Sequence, residues 1–324
     1  FLWQEGHTAH ATSDEAMAEA RQMLEVYREV AEDVLGIPVL PGRKSPGERF
    51  PGAVETYTIE GLMRDAKALQ CGTSHFLGQN FAKAYDVTFL NADGEQEHAW
   101  ATSWGFSTRM VGAAIMAHGD DAGLRLPPAA APIQVVIVPI YRSDEERASV
   151  LEVAEKLRAD LAADGVRVRL DDRDQHRPGY KFAEWELKGV PVRIELGPRD
   201  VAASRVVVAS RLGGEKEEVA VAEVAGGMAE RLASVQRDLY ADALAYREAN
   251  THEITSFDAF ATGVAEQGGF WIGAWCGEGS CEAEVAARTK ATIRFLPIEP
   301  TDPGADCVHC GRPGIDVATW ARAY

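Results

Sequence analysis

The sequence opens with side chains that alternate in character. Phe1, Trp3, Glu5 and His7 occupy every second position, so a β-strand would carry two aromatic rings, a carboxylate and an imidazole on one face. This face suits a small cationic ligand, because a glutamate on a buried aromatic surface is costly unless another group pairs with it. The alternative is an edge strand whose rings belong to the core and whose polar pair is solvated.

Helical spacing replaces this alternation after residue 11. Thr12 and Glu15 have the separation of a capping box, and apolar residues then recur at helical spacing until Gly36. Short strand-like runs follow at residues 37–40, 53–59, 87–90 and 98–103. The turn residues 91–94 between the last two runs predict a hairpin. Together these patterns predict a mostly antiparallel α+β domain.

A proline-rich break at residues 126–132 precedes a segment with a different pattern. Apolar strand runs occur at residues 135–138, 166–170, 192–196 and 205–209. They alternate with helical patterns at about residues 144–164, 182–187 and 221–247, the first of them capped at Ser143. This alternation predicts a three-layer α/β domain. We therefore divide the chain into residues 1–131, 132–250 and 251–324.

Composition limits the classes of protein that these domains can form. Of the 324 residues, 46% are hydrophobic and 26% are charged, as in a globular protein with sizeable cores. No apolar run approaches the roughly 20 residues of a membrane span, and the start lacks a basic, leucine-rich leader. We therefore expect a cytoplasmic protein without membrane contact. The net charge of -17 disfavours nonspecific nucleic-acid binding over the whole surface, so such binding needs a local basic patch.

Four cysteines near the C-terminus have the spacing of a metal site. They form a C-x4-C pair and a C-x2-C pair: Cys276, Cys281, Cys307 and Cys310. Two thiolate pairs meet the tetrahedral demand of structural zinc and leave no open coordination position for catalysis. The alternatives are four free thiols, or His309 in place of one cysteine ligand.

Two polar stretches of the first domain combine small residues with candidate ligand-binding groups. In residues 70–80, QCGTSHFLGQN, alternation directs Thr73 and His75 to one side, and the glycines allow close backbone approach to a ligand. A tight turn is the alternative there. In residues 103–109, SWGFSTR, an expected strand carries small residues and then Arg109 on one face. Such a face offers a floor for a flat ring and a cation for a phosphate.

A local basic region lies within the acidic chain. Residues 165–199 contain eight Lys/Arg and six Asp/Glu, interspersed with His176, Tyr180 and Trp185. Single-stranded nucleic acid needs this mixture, since cations bind the backbone and rings stack on unpaired bases. The residues alone favour the alternative, a solvated charged face.

Taken in this order, the motifs resemble class II prolyl-tRNA synthetases of the archaeal and eukaryotic type. FLWQEGHTAH at residues 1–10 resembles the second strand of motif 2, and TSHFLGQN at 73–80 resembles the proline-specific stretch. SWGFSTR at 103–109 is similar to motif 3, and HGDDAGL at 118–124 to the end of the family's catalytic domain. The resemblance implies an antiparallel-sheet catalytic domain, an α/β anticodon-binding domain and a small α+β domain that binds zinc.

The resemblance also implies a reaction. Proline and ATP would form prolyl-adenylate, and the prolyl group would then move to tRNA(Pro). Neither step needs a nucleophile from the enzyme, so the protein contributes alignment and charge neutralisation. ATP, Mg²⁺ and structural Zn²⁺ would be the cofactors, and a cytoplasmic homodimer the functional form.

Particular residues acquire roles from the resemblance. Arg109 is the implied catalytic residue, and the implied ATP-binding residues are Gln70, Thr73, Ser107 and Arg109. The implied proline-binding residues are His75, Trp3, Glu5, His7 and Phe50. The anticodon would contact the basic region, where the candidates are Lys181, Glu184, Glu186, Lys188 and Arg193.

Some family elements have no counterpart in the sequence. Motif 1, the first strand of motif 2 with its ATP-binding arginine, and the upstream proline-binding residues should all precede Phe1. We therefore expect a chain that is truncated at its N-terminus and inactive by itself. The alternative from another class is a noncatalytic tRNA-binding or regulatory fragment.

Overall fold

The computed structural model describes residues 2–324, which form two compact units. The first unit contains the chain up to Asp33 together with Ile37–Ala117 and Ala243–Tyr324. The second contains Val34–Gly36 and His118–Asp242. Phe1, which belongs to the predicted opening strand, lies outside the described residues. The division into three domains at residues 131 and 250 stays a prediction.

An antiparallel sheet of five strands forms the centre of the first unit. The elements of this region are β1 (Trp3–His10), α1 (Ser13–Glu29), β2 (Val39–Arg43), β3 (Glu55–Leu62), β4 (Ala68–Gly78), α2 (Asn80–Tyr85), β5 (Thr88–Leu90), β6 (Gln96–His98), β7 (Trp100–Ser107) and α3 (Arg109–His118). The strand order in the sheet is β1-β7-β4-β3-β2, while β5 and β6 form a separate hairpin around the predicted turn. The predicted second strand of that hairpin, residues 98–103, was wrong, because most of it belongs to β7 of the main sheet.

Helix α1 begins as predicted and ends differently. Thr12 and Glu15 form the capping box, which satisfies backbone donors at the first turn. The predicted single helix changes at Val30–Val34 into one wider π-helical turn, before Gly36 takes a positive φ of 64°. Buried Leu24 and other apolar residues of α1 pack across β3, β4 and β7.

Strand β4 is the main element that the sequence pattern missed. It pairs with β3 on one side and with β7 on the other, so it lies inside the sheet. Its Gly72 lies under the ring of Tyr27, where an added Cβ would stand 3.3 Å from the ring. The glycine that suggested a turn therefore permits helix-on-sheet packing.

The prediction that Arg109 shares a strand face with Ser103, Gly105 and Ser107 was wrong. Strand β7 extends from Trp100 to Ser107, and Arg109 is the first residue of α3. The change from strand to helix turns the arginine out of the sheet, so its position depends on the start of α3 and not on strand alternation.

The second unit is the predicted α/β fold. Its elements are β8 (Val135–Pro139), α4 (Asp144–Ala163), β9 (Val168–Leu170), α5 (Pro178–Leu187), β10 (Val192–Leu196), α6 (Pro198–Ala202), β11 (Arg205–Ser210), β12 (Glu217–Ala220) and α7 (Val221–Ala249), of which α7 ends in the first unit. The strand order is β12-β11-β10-β8-β9, with β8 parallel to both β9 and β10. Ser143 caps α4 as predicted.

The C-terminal residues add a small α+β module to the first unit. It contains β13 (Thr251–Glu253), α8 (Phe257–Glu266), β14 (Phe270–Trp275), α9 (Gly279–Thr289), β15 (Thr292–Phe295) and β16 (Asp316–Ala321). The sheet order is β13-β14-β16-β15, and backbone bridges from Arg43 to Leu296 and from Ala68 to Ala323 join the module to the main sheet. Within residues 2–324, none of the helices combines the length and apolar character needed to cross a membrane.

Candidate functional site

A polar cavity of about 210 Å³ lies against β1, β4 and β7. The predicted site residues that line it are Trp3 and Glu5 from β1, Gln70 and Thr73 from β4, Ser107 from β7 and Arg109 from α3. All of the predicted ATP-binding residues therefore line one cavity, together with two of the predicted proline-binding residues.

Strand register produces the flat floor of this cavity. Glu5 and Thr73 are both partners of Gly105, one from each neighbouring strand. The three residues form a row across the sheet, and side chains in such a row share one face. Because Gly105 has no side chain, the space between the glutamate and the threonine stays open to a ligand.

Arg109 is held at the edge of the cavity by two hydrogen bonds. Its backbone N–H donates to Ser107 Oγ at 3.2 Å, and its Nη1 donates to the backbone carbonyl of Gln70 at 3.1 Å. The side chain is exposed, and a guanidinium has five N–H donors. Donors therefore remain for an anion in the cavity.

Tyr27 of α1 supports the floor from the opposite face of the sheet. Its hydroxyl donates to Gln4 Oε1 at 2.6 Å, and its ring stacks on Phe106 with 5.3 Å between centroids. Burial, and the negative charge of Glu5, raise the pKa of Tyr27 to about 12, so the phenol stays a donor. Sequence reasoning missed this role and used Tyr27 only as an apolar position of the helix.

A second, mostly apolar cavity of about 510 Å³ contains the other predicted proline-binding residues from β1 and the loop before β3. His7 and Phe50 line it with Leu77, Phe81 and Tyr85. Four of the five predicted proline-binding residues thus divide between two cavities, since Trp3 and Glu5 line the polar cavity and His7 and Phe50 line the apolar one. The fifth, His75, lines neither of these two cavities.

His75 stands beside Phe50, with 4.7 Å between the ring centroids. Burial lowers the pKa of His75 to about 4, so the imidazole is neutral at neutral pH. Its Nδ1 lies 3.0 Å from Thr56 Oγ1, which accepts a hydrogen bond from the Phe50 N–H. The Thr56 hydroxyl can therefore donate its proton to Nδ1 of His75. An Nδ1 that accepts a hydrogen bond favours the tautomer protonated on Nε2.

Trp104 and Gly6 are a matched pair that the sequence analysis did not find. They are partners in the β1–β7 register, and a Cβ on Gly6 would lie 1.9 Å from the indole ring. Only a glycine leaves room for this ring. A glycine inside a strand pattern is the signal that could have indicated this close approach.

In the second unit, the basic region surrounds a cavity of about 340 Å³ at the end of β8. Its lining includes Tyr141, Arg173, His176, Arg177 and Lys181. Because β8 is parallel to strands on both sides, the cavity lies where the strand order reverses, a usual place for ligands in α/β sheets.

The predicted anticodon-binding residues differ in how free their side chains are. Lys181 is buried, and its Nζ donates to the carbonyl of Asp171 at 2.9 Å. Hydrogen bonds from Arg173 and Lys188 lower the pKa of Glu184 to about 2, so this carboxylate is ionised and paired. In this conformation Lys181 and Glu184 serve the packing of the region.

Arg193 and Glu186 line a smaller polar pocket of about 80 Å³ beside β10 and β11. The Arg193 guanidinium lies over the ring of Phe182 at 4.3 Å and pairs with Glu195 at 3.0 Å. A cation above an aromatic ring offers both charge and a stacking surface. Exposed Lys188 lies over the Trp185 ring at 4.7 Å.

The four cysteines of the C-terminal module come together as predicted. Their sulfur atoms all lie within 4.8 Å of one another, and two of the separations are 3.7 Å and 3.6 Å. A tetrahedral zinc with Zn–S bonds of about 2.3 Å places its sulfurs roughly 3.8 Å apart. The donor set therefore fits structural zinc, while His309 instead lies 2.9 Å from Glu284 Oε2.

Two family models match parts of the chain. The model described as "Anticodon binding domain" matches residues 134–231, and the model described as "Prolyl-tRNA synthetase, C-terminal" matches residues 257–324. The first match falls in the second unit, and the second falls in the module that contains the four cysteines.

Curated relatives match the whole chain. Proline--tRNA ligase from Flavobacterium johnsoniae is 50% identical over 324 residues, which are 100% of this chain and 66% of that protein. Proline--tRNA ligase from Rubrobacter xylanophilus is also 50% identical, with 67% of that protein covered. The chain therefore spans about two thirds of the length of these relatives.

Solved structures agree with the sequence matches. The crystal structure of prolyl-tRNA synthetase from Cryptosporidium parvum complexed with L-proline and AMP has a TM-score of 0.94 and 36% identity. The match covers 100% of this chain and 70% of that one. A second structure of that protein, complexed with halofuginone and AMPPNP, has a TM-score of 0.94 and 35% identity.

Proposed function

The chain belongs to the prolyl-tRNA synthetase family, and from that membership we propose that the protein attaches proline to tRNA(Pro) in an ATP-dependent reaction. One observation carries the proposal. Residues from β4, β7 and α3 that were expected to bind ATP line a single polar cavity, namely Gln70, Thr73, Ser107 and Arg109. The C. parvum relative with L-proline and AMP bound supports the same assignment.

In the first step of the proposed reaction, the carboxylate of proline attacks the α-phosphate of ATP and pyrophosphate leaves. Arg109 neutralises phosphate charge, because its exposed guanidinium keeps donors free at the cavity edge. Thr73 and Ser107 offer hydroxyl groups and Gln70 an amide to orient the nucleotide. Mg²⁺ bound to ATP would supply further charge neutralisation.

Proline would bind next to the nucleotide, on the part of the floor formed by β1. Glu5 offers a carboxylate for the substrate ammonium, and Trp3 offers an aromatic face. The neutral state of His75 is compatible with a cationic substrate, since a charged imidazole would repel the ammonium. Phe50 and His7 would close the pocket from the apolar side.

The second unit would hold the anticodon. The family model for anticodon binding covers residues 134–231, which include the cavity at the end of β8 and the pocket beside β10. Among the candidates, Glu186 and Lys188 are exposed, and Arg193 lines the pocket beside β10 together with Glu186. Carboxylates and cations of this kind recognise the edges of guanine and cytosine.

The four cysteines would hold a structural zinc in the C-terminal module. A closed set of four thiolates cross-links the loop after β14, the start of α9 and the loop before β16, and it leaves no coordination position for a substrate. A cytoplasmic location and a homodimer belong to the same proposal, and the family resemblance supports them.

Proline-dependent exchange of pyrophosphate into ATP tests the proposed function in the complete protein. We expect exchange that requires proline and that continues without tRNA. Leucine in place of proline is the control, because the same enzyme should show no exchange with it. Binding of tRNA(Pro) without any exchange would instead favour the noncatalytic tRNA-binding alternative.

A further inference from the structure

A buried ionic cluster joins β3 to the C-terminal module within the first unit. Lys44, Glu60 and Arg294 form it, with side chains that are 2%, 0% and 9% exposed. Lys44 Nζ lies 2.8 Å from Glu60 Oε1, and the Arg294 guanidinium lies 3.0 to 3.2 Å from both carboxylate oxygens. Such burial requires pairing, because an isolated carboxylate in the core is costly.

Glu60 occupies a special position in the main sheet. Ile59 pairs with Gly72 on β4, but the next residue, Glu60, pairs with Gln70, so Cys71 is an extra residue in the ladder. A bulge of this kind re-aims the side chains next to it and is often found beside active sites. The carboxylate of Glu60 thus lies on the strand that faces the bulge.

The bulge leads directly to the proposed nucleotide-binding residues. The backbone carbonyl of Gln70 accepts the hydrogen bond from Arg109 Nη1. Gln70 and Arg109 also line another cavity of the first unit, of about 310 Å³, which Arg294 borders as well. Arg294 therefore contacts Glu60 at the bulge and borders a space next to Arg109.

We propose that Arg294 is a positioning residue for ATP binding: through the carboxylate of Glu60 it fixes the bulge that places Gln70 and Arg109. The inference rests on the proposed function of the Arg109 cavity as the ATP site. It assigns to the C-terminal module a part in nucleotide affinity, carried by one residue of β15.

A purely structural role for Arg294 makes different predictions. Loss of packing between the module and the main sheet would weaken ATP and proline binding alike. Removal of the Arg43 side chain should then weaken both kinds of binding in the same way. Arg43 pairs with Asp316 across the same junction but does not contact Glu60. Arg43 is therefore the matched control position.

The test measures the dissociation constants of ATP and proline by calorimetry in the complete protein. We expect Arg294→Met to weaken ATP binding about tenfold, in the range of effects that pass through a packed network, and to change proline binding less than about twofold. Arg43→Met should leave ATP affinity near that of the unmodified protein.

A double-mutant cycle tests whether the effect of Arg294 on ATP binding depends on Glu60. If Arg294 acts through Glu60, Glu60→Gln alone should weaken ATP binding, and adding Arg294→Met to it should have no further effect. The comparison of Glu60→Gln with the double variant remains possible if Arg294→Met alone fails to fold. Both of these proteins lack the Glu60 carboxylate, so neither contains a buried negative charge that has lost Arg294 as its partner.

Four outcomes would overturn the inference: unchanged ATP affinity in Arg294→Met, equal weakening of ATP and proline binding, the same weakening of ATP binding in Arg43→Met, or additive effects in the cycle. An unmodified protein that does not bind ATP would overturn the proposed function itself. Failure of the inference and failure of the proposed function are distinguishable, because only the latter is seen as a loss of ATP binding in the unmodified protein.

Discussion

The guanidinium of Arg109 donates a hydrogen bond to the backbone carbonyl of Gln70, with 3.1 Å between Nη1 and the oxygen. This bond joins the first turn of α3 to the middle strand β4. Two segments that are 39 residues apart in sequence thus share one edge of the polar cavity. A change in either segment is therefore expected to move a group that the proposed reaction uses.

Replacement of Arg109 by alanine should reduce proline-dependent ATP–pyrophosphate exchange in the complete protein by about 100-fold or more. The reason is that a positioned cation stabilises charge that develops on the transferring phosphoryl group. Steady-state exchange rates at varied ATP check this expectation.

Arg158→Ala is the matched control for Arg109→Ala, because Arg158 lies on the surface of α4 and pairs with Glu155. Its exchange rate should equal that of the unmodified protein. Retention of full exchange in Arg109→Ala would exclude a phosphate-binding role for this residue.

The sequence predicted best those features that depend on neighbours in the chain. The capping box of Thr12 and Glu15 and the C-x4-C and C-x2-C spacings are short-range patterns, and the structure contains both the capping box and the four-sulfur cluster. The strand character of β4 was hidden, because Gly72 looks like a turn residue until the ring of Tyr27 packs on it. Tertiary packing overrides local propensity at such positions.

Contacts between residues that are distant in sequence could not be predicted from local sequence patterns. Glu60 and Arg294 are 234 residues apart, and neither belongs to a motif that marks it as a partner of the other. The predicted proline-binding residues were likewise named individually, whereas the division of four of them between two cavities depends on the β1–β7 register and on the loop that carries Phe50. Only the folded sheet determines these relationships.

His75 should make the stability of the first unit depend on pH below neutrality. Its pKa is about 4 in the folded protein, against an ordinary value of 6.5, because burial disfavours the charged ring. The unfolded state therefore binds a proton that the folded state rejects, and stability is lost as pH falls from about 6.5 towards 4. The loss attributable to this residue is at most about 3 kcal/mol.

Urea unfolding of the parent protein and of His75→Gln between pH 7 and pH 4 measures this effect. The difference in unfolding free energy between the two proteins should shrink as the pH falls, because glutamine does not titrate. A constant difference over that range would contradict the burial of a neutral imidazole.

Arg193→Gln should raise the KM for tRNA(Pro) in aminoacylation by about tenfold, the scale of one lost charged contact to a base. Exchange of pyrophosphate without tRNA should stay unchanged, because Arg193 lies in the second unit. Arg205→Gln, on β11 of the same sheet, is the control, since its guanidinium pairs with Glu218 at the exposed edge. Equal effects of the two substitutions would indicate nonspecific electrostatics.

Removal of one cysteine ligand should release the proposed zinc and destabilise the C-terminal module. We expect one zinc per chain in the purified protein by elemental analysis, and a clear loss of zinc in Cys307→Ser. Cys307 is buried, and its sulfur lies 3.7 Å from that of Cys281. A serine hydroxyl is a poor replacement for a thiolate ligand, so the remaining three thiolates should bind the metal less tightly.

Cys71→Ala is the matched control for the zinc measurement, because Cys71 is a buried cysteine outside the four-sulfur cluster. It should keep its full zinc content even if its stability falls slightly through the lost sulfur volume. Since a closed four-thiolate site acts through folding, zinc loss in Cys307→Ser should lower the melting temperature together with the exchange rate. Loss of exchange with unchanged melting would argue instead for a direct role of the metal in the reaction.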